Sequence, residues 1–174
     1  MLIELTKLEG MDIGALDEGV KVGVVKSAII DPEEARLIGI LVRIGTIIQS
    51  FKVASFQDII DIDKSGVVIG SEVDLLDKDD IVRIKKLLKY KYSLIGSRVR
   101  ASGTKKSIGK VSDAVIETTT GDVLRIYVSN YFKRRIFERS QIEKITLAEV
   151  IVKDIEPKSV RQKALAAEKV PEAA

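Results

Sequence analysis

Slid along itself by 86 positions, the sequence meets its own copy. Leu8–Arg43 aligns with Leu94–Ser129 without a gap, and nine of those 36 positions are identical, where unrelated chains share about two. The identities are Leu8/Leu94, Gly10/Gly96, Ala15/Ala101, Gly23/Gly109, Val25/Val111, Ala28/Ala114, Ile30/Ile116, Ile40/Ile126 and Val42/Val128. The offset then falls to 83, and Val53–Ile69 matches Ile136–Val152 through Ile59/Ile142, Ile62/Ile145 and Val67/Val150. Equivalent apolar positions in two copies require two similar cores, each of about 65–70 residues.

The core is expected to be β-rich. The chain has 24 Ile and 19 Val, about a quarter of its residues, against 5% aromatics. β-Branched side chains lose rotamer freedom in helices and pack well on pleated sheets. Both copies follow one grammar. A glycine at 10 or 96 leads to a first strand, and a glycine at 23 or 109 permits a bend or bulge. The strand Val24–Ile30 or Lys110–Ile116 follows. A turn comes next, Asp31–Glu34 in one copy and Thr118–Gly121 in the other, with Pro32 and Gly121 suited to turn dihedrals. The return strands are Leu37–Ile44 and Val123–Ser129. Short strands joined by tight turns predict a small closed or nearly closed barrel in each copy, since a flat sheet of this size would expose one face and two edges.

Between the copies, Asp79 and Asp80 precede Ile81, Ile84, Leu87 and Leu88 at helical spacing. The pattern predicts an amphipathic helix of about three turns, with acids at its start and Lys85, Lys86, Lys89 and Lys91 toward its end complementing the dipole. The expected organisation is a first barrel over 1–70, a linker with the helix over 71–92, a second barrel over 93–156, and a tail over 157–174. The tail is rich in Ala, Lys and Glu and is expected to be disordered.

The second copy carries Tyr92–Val99, then Ile108-Gly109-Lys110-Val111-Ser112-Asp113, then Thr120-Gly121-Asp122-Val123. This run of glycine, strand, Gly-x-Val, Asp and turn glycine resembles the PRC-barrel family, named for the photosynthetic reaction centre H subunit. The first copy departs from it, with Ser27 where Asp113 stands and Ala35 in place of Gly121. The resemblance implies tandem PRC-type β-barrels used for protein contacts rather than catalysis, with Gly10, Gly23, Gly96, Gly109 and Gly121 as structural turn positions. Short archaeal members look like cytosolic cell-division components that act with SepF and FtsZ. The implied partners are therefore those proteins or another PRC-barrel protein, in a homo- or hetero-oligomer. Ribosome-maturation relatives pair one barrel with a different domain, whose place is taken here by a second barrel copy.

Charge divides the copies. Residues 1–70 hold 7 basic and 11 acidic side chains, net −4, and residues 93–155 hold 12 and 7, net +5. Either solvated surfaces have drifted, or the halves are complementary to each other or to different partners. The densest basic feature is Asn130-Tyr131-Phe132-Lys133-Arg134-Arg135, with Arg139 close behind. Three readings stay open for it: a loop whose aromatics pack on the rim and whose charges face water, a single-stranded nucleic-acid site, or protein-contact anchors. The equivalent loop, Gly45–Lys52, is apolar. Partner binding is accordingly assigned to Tyr131, Phe132, Lys133, Arg134, Arg135 and Arg139.

Catalytic signals are few. With no Cys and no His, thiolate nucleophiles, imidazole ligands and Ser-His-Asp triads are excluded. Asp74, Asp77, Asp79 and Asp80 lack the glycine and distant glutamate of a calcium loop, and Gly10-x-x-x-Gly14 lacks the ending of a phosphate loop. No enzyme activity, cofactor or metal is expected. The opening residues lack signal-peptide anatomy and no apolar run reaches the ~20 residues of a membrane span, so a cytoplasmic location is expected. The function expected is that of a non-enzymatic adaptor, with an RNA- or ribosome-associated maturation factor using the basic second barrel as the alternative.

Overall fold

A computed structural model describes residues 1–103, 106–131 and 133–153. The tail over 157–174 lies outside the described residues. The described chain is mainly β and forms two curled sheets. It opens with β1 (Leu2–Glu4) and a single helical turn, α1 (Leu5–Leu8). There follow β2 (Asp12–Ala15), β3 (Val20–Asp31), β4 (Arg36–Ile44), β5 (Ser50–Ser55), β6 (Ile59–Ile62), β7 (Val67–Ile69) and the two-residue β8 (Leu75–Leu76). Helix α2 (Val82–Lys89) comes next. The second series is β9 (Arg98–Ala101), β10 (Ser107–Glu117), β11 (Val123–Ser129), β12 (Arg134–Glu138), β13 (Ile142–Ile145) and β14 (Glu149–Val152). No helix among the described residues is long and apolar enough to cross a membrane.

The first sheet runs β6-β7-β2-β3-β4-β5-β8 and the second β13-β14-β9-β10-β11-β12, with β1 added on β10. Six strands thus occur twice in one order. Registers repeat too. The one parallel pairing joins Ile13 to Val67 in the first sheet and Val99 to Val150 in the second. β3 is irregular at Val25/Ser27 and Ile29/Ile30, and β10 at Val111/Asp113 and Val115/Ile116, the same positions 86 residues on. Bulges of this kind sharpen strand twist, which lets a small sheet curl over its core.

Backbone demands explain several of the repeated residues. Gly10 and Gly96 have φ of +84° and +90°. Their N–H groups donate to Val25 O at 2.9 Å and Val111 O at 2.8 Å. At Gly23 and Gly109 the limit is space, since a Cβ would run into Arg43 O or Ser129 O. Gly121 has φ +79°, and Ala35, its equivalent, holds the same left-handed turn at φ +54°. The departure of the first copy from glycine at this position leaves the turn conformation unchanged.

The two sheets meet at a seam between equivalent residues. Arg36 and Asp122, 86 positions apart, form an isolated antiparallel bridge. On either side of it, Leu37 N donates to Gly121 O at 2.8 Å and Val123 N to Ala35 O at 2.9 Å. Exchanging each residue for its counterpart turns one of these bonds into the other, so the seam has local two-fold symmetry, like an isologous dimer contact within one chain. One apolar cluster runs through both sheets, from Leu8, Ile13 and Ile40 to Val99, Ile126 and Phe137.

The segment leading into each copy reaches across to the other. β1 pairs with the end of β10, Leu2 opposite Glu117 and Glu4 opposite Val115, although it lies within the first 70 residues. α1 follows it, and the Thr6 amide and hydroxyl donate to Asp113. In the reverse sense α2 covers the end of β3: Ile84 and Leu87 pack with Ile29 and Val53. From α2, Arg83 bridges to Asp31, which is 2% exposed, and to Glu34 at 2.8 Å. Its hydrogen bond to Glu34, and then the charge of Asp31, raise the guanidinium pKa. Behind the helix the Tyr92 hydroxyl is buried with no hydrogen-bond partner among the described residues. Burial, and then the charge of Asp31, push its pKa up.

The helix differs from the sequence expectation. It spans eight residues, with Ile81 as its N-cap and no acid in its first turn. Asp79 and Asp80 precede it instead. Asp80 accepts the Asp77 amide at 2.9 Å and closes a turn, and Asp79 pairs with Lys85 at 3.2 Å. Short acidic side chains compete with helical bonding by capping local turns, which starts the helix later than periodicity alone suggests.

Candidate interaction surface

Because the seam bridge is antiparallel, β4 and β11 leave it in opposite directions. Their far loops, 45–49 and 130–133, therefore stand on opposite sides of the seam. The first loop turns at Gly45, φ +80°, and presents Ile47 and Ile48, 94% and 88% exposed. The second is shaped by Asn130. Its amide donates to Lys133 O at 3.0 Å, its carboxamide oxygen accepts from Lys133 N at 2.9 Å, and its carboxamide nitrogen donates to Ile108 O at 3.1 Å. This closed turn projects Tyr131, which is fully exposed. Phe132 lies outside the described residues.

The sequence-predicted cations do not form one cluster. Lys133 and Arg134 are exposed and adjacent to Tyr131, and Arg135 is half-buried beside Val128 across the ladder. Arg139 is at the other end of β12, in a 3-10 turn, with its Nη1 donating to Ile142 O at 3.4 Å. The five residues of β12 separate it from the loop by about 16 Å.

Register brings in cations that the loop motif does not show. Arg98 on β9 lies opposite Lys110 on β10, Lys110 opposite Ser129 on β11, and Ser129 opposite Arg134 on β12. Cross-strand partners share a face of the sheet, so Arg98, Lys110 and Arg134 form a row. Arg98 also stands beside Glu149 of β14, but the ion pair of Glu149 is with Arg100. None of the three makes an ion pair among the described residues. Like charges directly opposite on neighbouring strands are destabilising, so this row has a stability cost that a bound anionic group would relieve. An open groove of about 620 Å³ lies along it, with Arg98, Lys110, Ser129 and Tyr131 in its wall.

The same row in the first sheet reads Asp12, Val24, Arg43 and Phe51. There Lys21 neutralises Asp12 at 2.6 Å. Equivalent backbone thus carries a balanced, partly apolar face in one copy and a cationic face in the other.

Acids in and after the first copy have structural occupations. Asp74 accepts the Ser71 amide at 2.8 Å, and Asp77 pairs with Lys52 at 2.9 Å. Asp63 closes its own turn by accepting from Ser65 and Gly66.

No protein-family model matches the chain, and no curated protein matches it in sequence.

Proposed function

We propose that this chain is a non-enzymatic adaptor built from two PRC-type barrels, acting through protein contacts, in the manner of the archaeal cell-division components that the sequence resembles. The sheets described above would be the two barrels, with α2 as the joining helix. One observation carries the reading: a repeated frame places two chemically different loops on opposite sides of its seam. Ile47 and Ile48 offer apolar anchors at one side. Tyr131, Lys133, Arg134 and Arg135 offer an aromatic and cationic contact at the other, and Tyr and Arg are favoured anchors in protein interfaces. Two unlike contact sites on one frame are what linking two partners requires.

The test is a pair of double variants assayed against purified SepF and FtsZ and against the protein itself. Ile47→Ser with Ile48→Ser should abolish one contact, and Arg134→Glu with Arg135→Glu a different one. Full binding by both variants to every partner of the wild type would refute the adaptor reading.

The row Arg98, Lys110 and Arg134 supports a second reading, an RNA- or ribosome-associated factor. Phosphate contacts by these cations with base stacking on Tyr131 would bind a single strand. Affinity for an oligouridylate that falls steeply with salt would favour it, whereas an apolar protein contact tolerates salt.

A further inference from the structure

The second sheet ends at β12, which pairs with β11 alone among the described residues. Its repeat equivalent, β5, does not end the first sheet. There β8 lies antiparallel against β5, with Leu76 opposite Val53 and Leu75 opposite Ala54. Immediately after β8, the Asp77 carboxylate meets Lys52 at 2.9 Å. At the offset of 83, Lys52, Val53 and Ala54 correspond to Arg135, Ile136 and Phe137. β12 therefore repeats the edge, and the cation, that on β5 hold Leu75-Leu76-Asp77.

The chain does not repeat the segment that fills this edge. At the same offset, Leu75, Leu76 and Asp77 correspond to Lys158, Ser159 and Val160. Two apolar residues and an acid are replaced by a cation, a small polar residue and a neutral one, opposite a strand that already carries Arg134 and Arg135. At that offset the acid that pairs with Lys52 is not repeated.

Packing at the two edges differs as well. Leu75 is buried against the core in the first copy, beside the small Ala54. In the second, Phe137 stands at the position of Ala54 and is 0% exposed. The larger ring supplies apolar volume from β12 itself. A strand added there is held by backbone hydrogen bonds and by charge, which are contacts suited to a ligand that comes and goes.

We propose that β12 takes up an extended acidic segment of a partner protein as an added antiparallel strand, with its carboxylates on Arg134 and Arg135. This rests on the protein-contact reading of the second sheet and names the chemistry of the partner. Backbone groups along β12 supply the affinity, as in other strand-addition complexes, and the cations select for acid. The Arg98 and Lys110 row continues the positive face inward from β12, over β10 and β9.

The probe is a synthetic peptide copying Ser71–Asp80, which contains the two leucines and five acids against one lysine. Titrated against the full chain by fluorescence anisotropy, it should bind saturably. Arg134→Glu with Arg135→Glu should weaken it by at least about tenfold. The same peptide N-methylated at both leucines should not bind, because its charge is kept and its strand hydrogen bonds are lost. This control is on the peptide, so it reports even where a protein variant folds poorly.

Equal binding of the methylated and unmethylated peptides would overturn strand addition in favour of charge attraction alone. No binding by the full chain would overturn it as well. So would an oligouridylate that displaces the peptide and binds more tightly, which would assign the surface to nucleic acid. Should the peptide fail while the arginine variant still loses the wild-type protein partners, strand addition falls and the adaptor reading stands. Retention of those partners by the arginine variant would remove the surface from both.

Discussion

The first and second sheets share strand order, bulge positions and the hydrogen bonds around Gly10 and Gly96, yet they differ along their outer rows and edges. In the first, Asp12 is neutralised by Lys21 and the edge strand β5 is covered by β8. In the second, Arg98 opposes Lys110 and β12 pairs on one side only among the described residues. Agreement is concentrated where backbone geometry leaves no choice, and divergence where side chains face water. A duplicated frame of this kind frees one copy to keep its surfaces balanced while the other acquires a charged face.

Equivalent core substitutions give the most severe test of that likeness. Ile40 and Ile126 are repeat partners and both 0% exposed. Ile40→Ala and Ile126→Ala should each cost about 2–5 kcal/mol in urea unfolding. Losses of similar size would sharpen the comparison, and a loss near zero at one position would break it.

The two hairpin turns should respond unequally. Asp31 accepts the Glu33 amide at 2.7 Å and the Glu34 amide at 3.1 Å, and is also held by Arg83. Arg83→Ala would leave a buried carboxylate with backbone donors only, at a cost of about 1–3 kcal/mol. In the second sheet the turn is tied by Thr120 Oγ1 donating to Glu117 at 3.2 Å, both half-buried. Thr120→Val should cost less than about 1 kcal/mol. Thermal melts of the two variants compare a turn built on a buried carboxylate with one built on a half-buried hydroxyl.

The left-handed position inside those turns tests the same difference at a single residue. Ala35→Gly relieves an unfavourable φ but adds freedom to the unfolded chain, so stability should change by less than about 1 kcal/mol. Gly121→Ala should lose about 1 kcal/mol or more, since its Cβ would come within 3.0 Å of Leu37 O and 3.1 Å of Phe56 Cζ. Equal responses at the two sites would show that the turns are packed alike after all.

How much of this the sequence discloses depends on the range of the interaction. Gly10/Gly96 and Gly23/Gly109 are legible because each answers a backbone requirement within its own copy, and so the repeated mainly β frame can be read directly. β1 is not. Leu2-Ile3-Glu4 has the alternation of a strand, but nothing in it says that its partner is β10, over a hundred positions away. The Arg98–Lys110 opposition is hidden for a related reason. It depends on the irregularity between Ser107 and Gly109 that sets the register, and a shift of one residue would move every side chain to the other face. Tyr131, Lys133, Arg134 and Arg135 are visible as a linear cluster, whereas the separation of Arg139 from them follows only from the path of β12.

The seam has a last consequence for pairing preference. Its central residues are Arg36 in one copy and Asp122 in the other, with the guanidinium Nε 3.8 Å from the carboxylate. Two first copies brought together in this way would set arginine against arginine, and two second copies aspartate against aspartate. The contact therefore discriminates against homotypic assembly and favours the unlike match. Covalent linkage adds to that bias by holding the unlike halves at high effective concentration. Two molecules meeting in solution consequently find this surface already satisfied, and further association has to use the outer loops and edges.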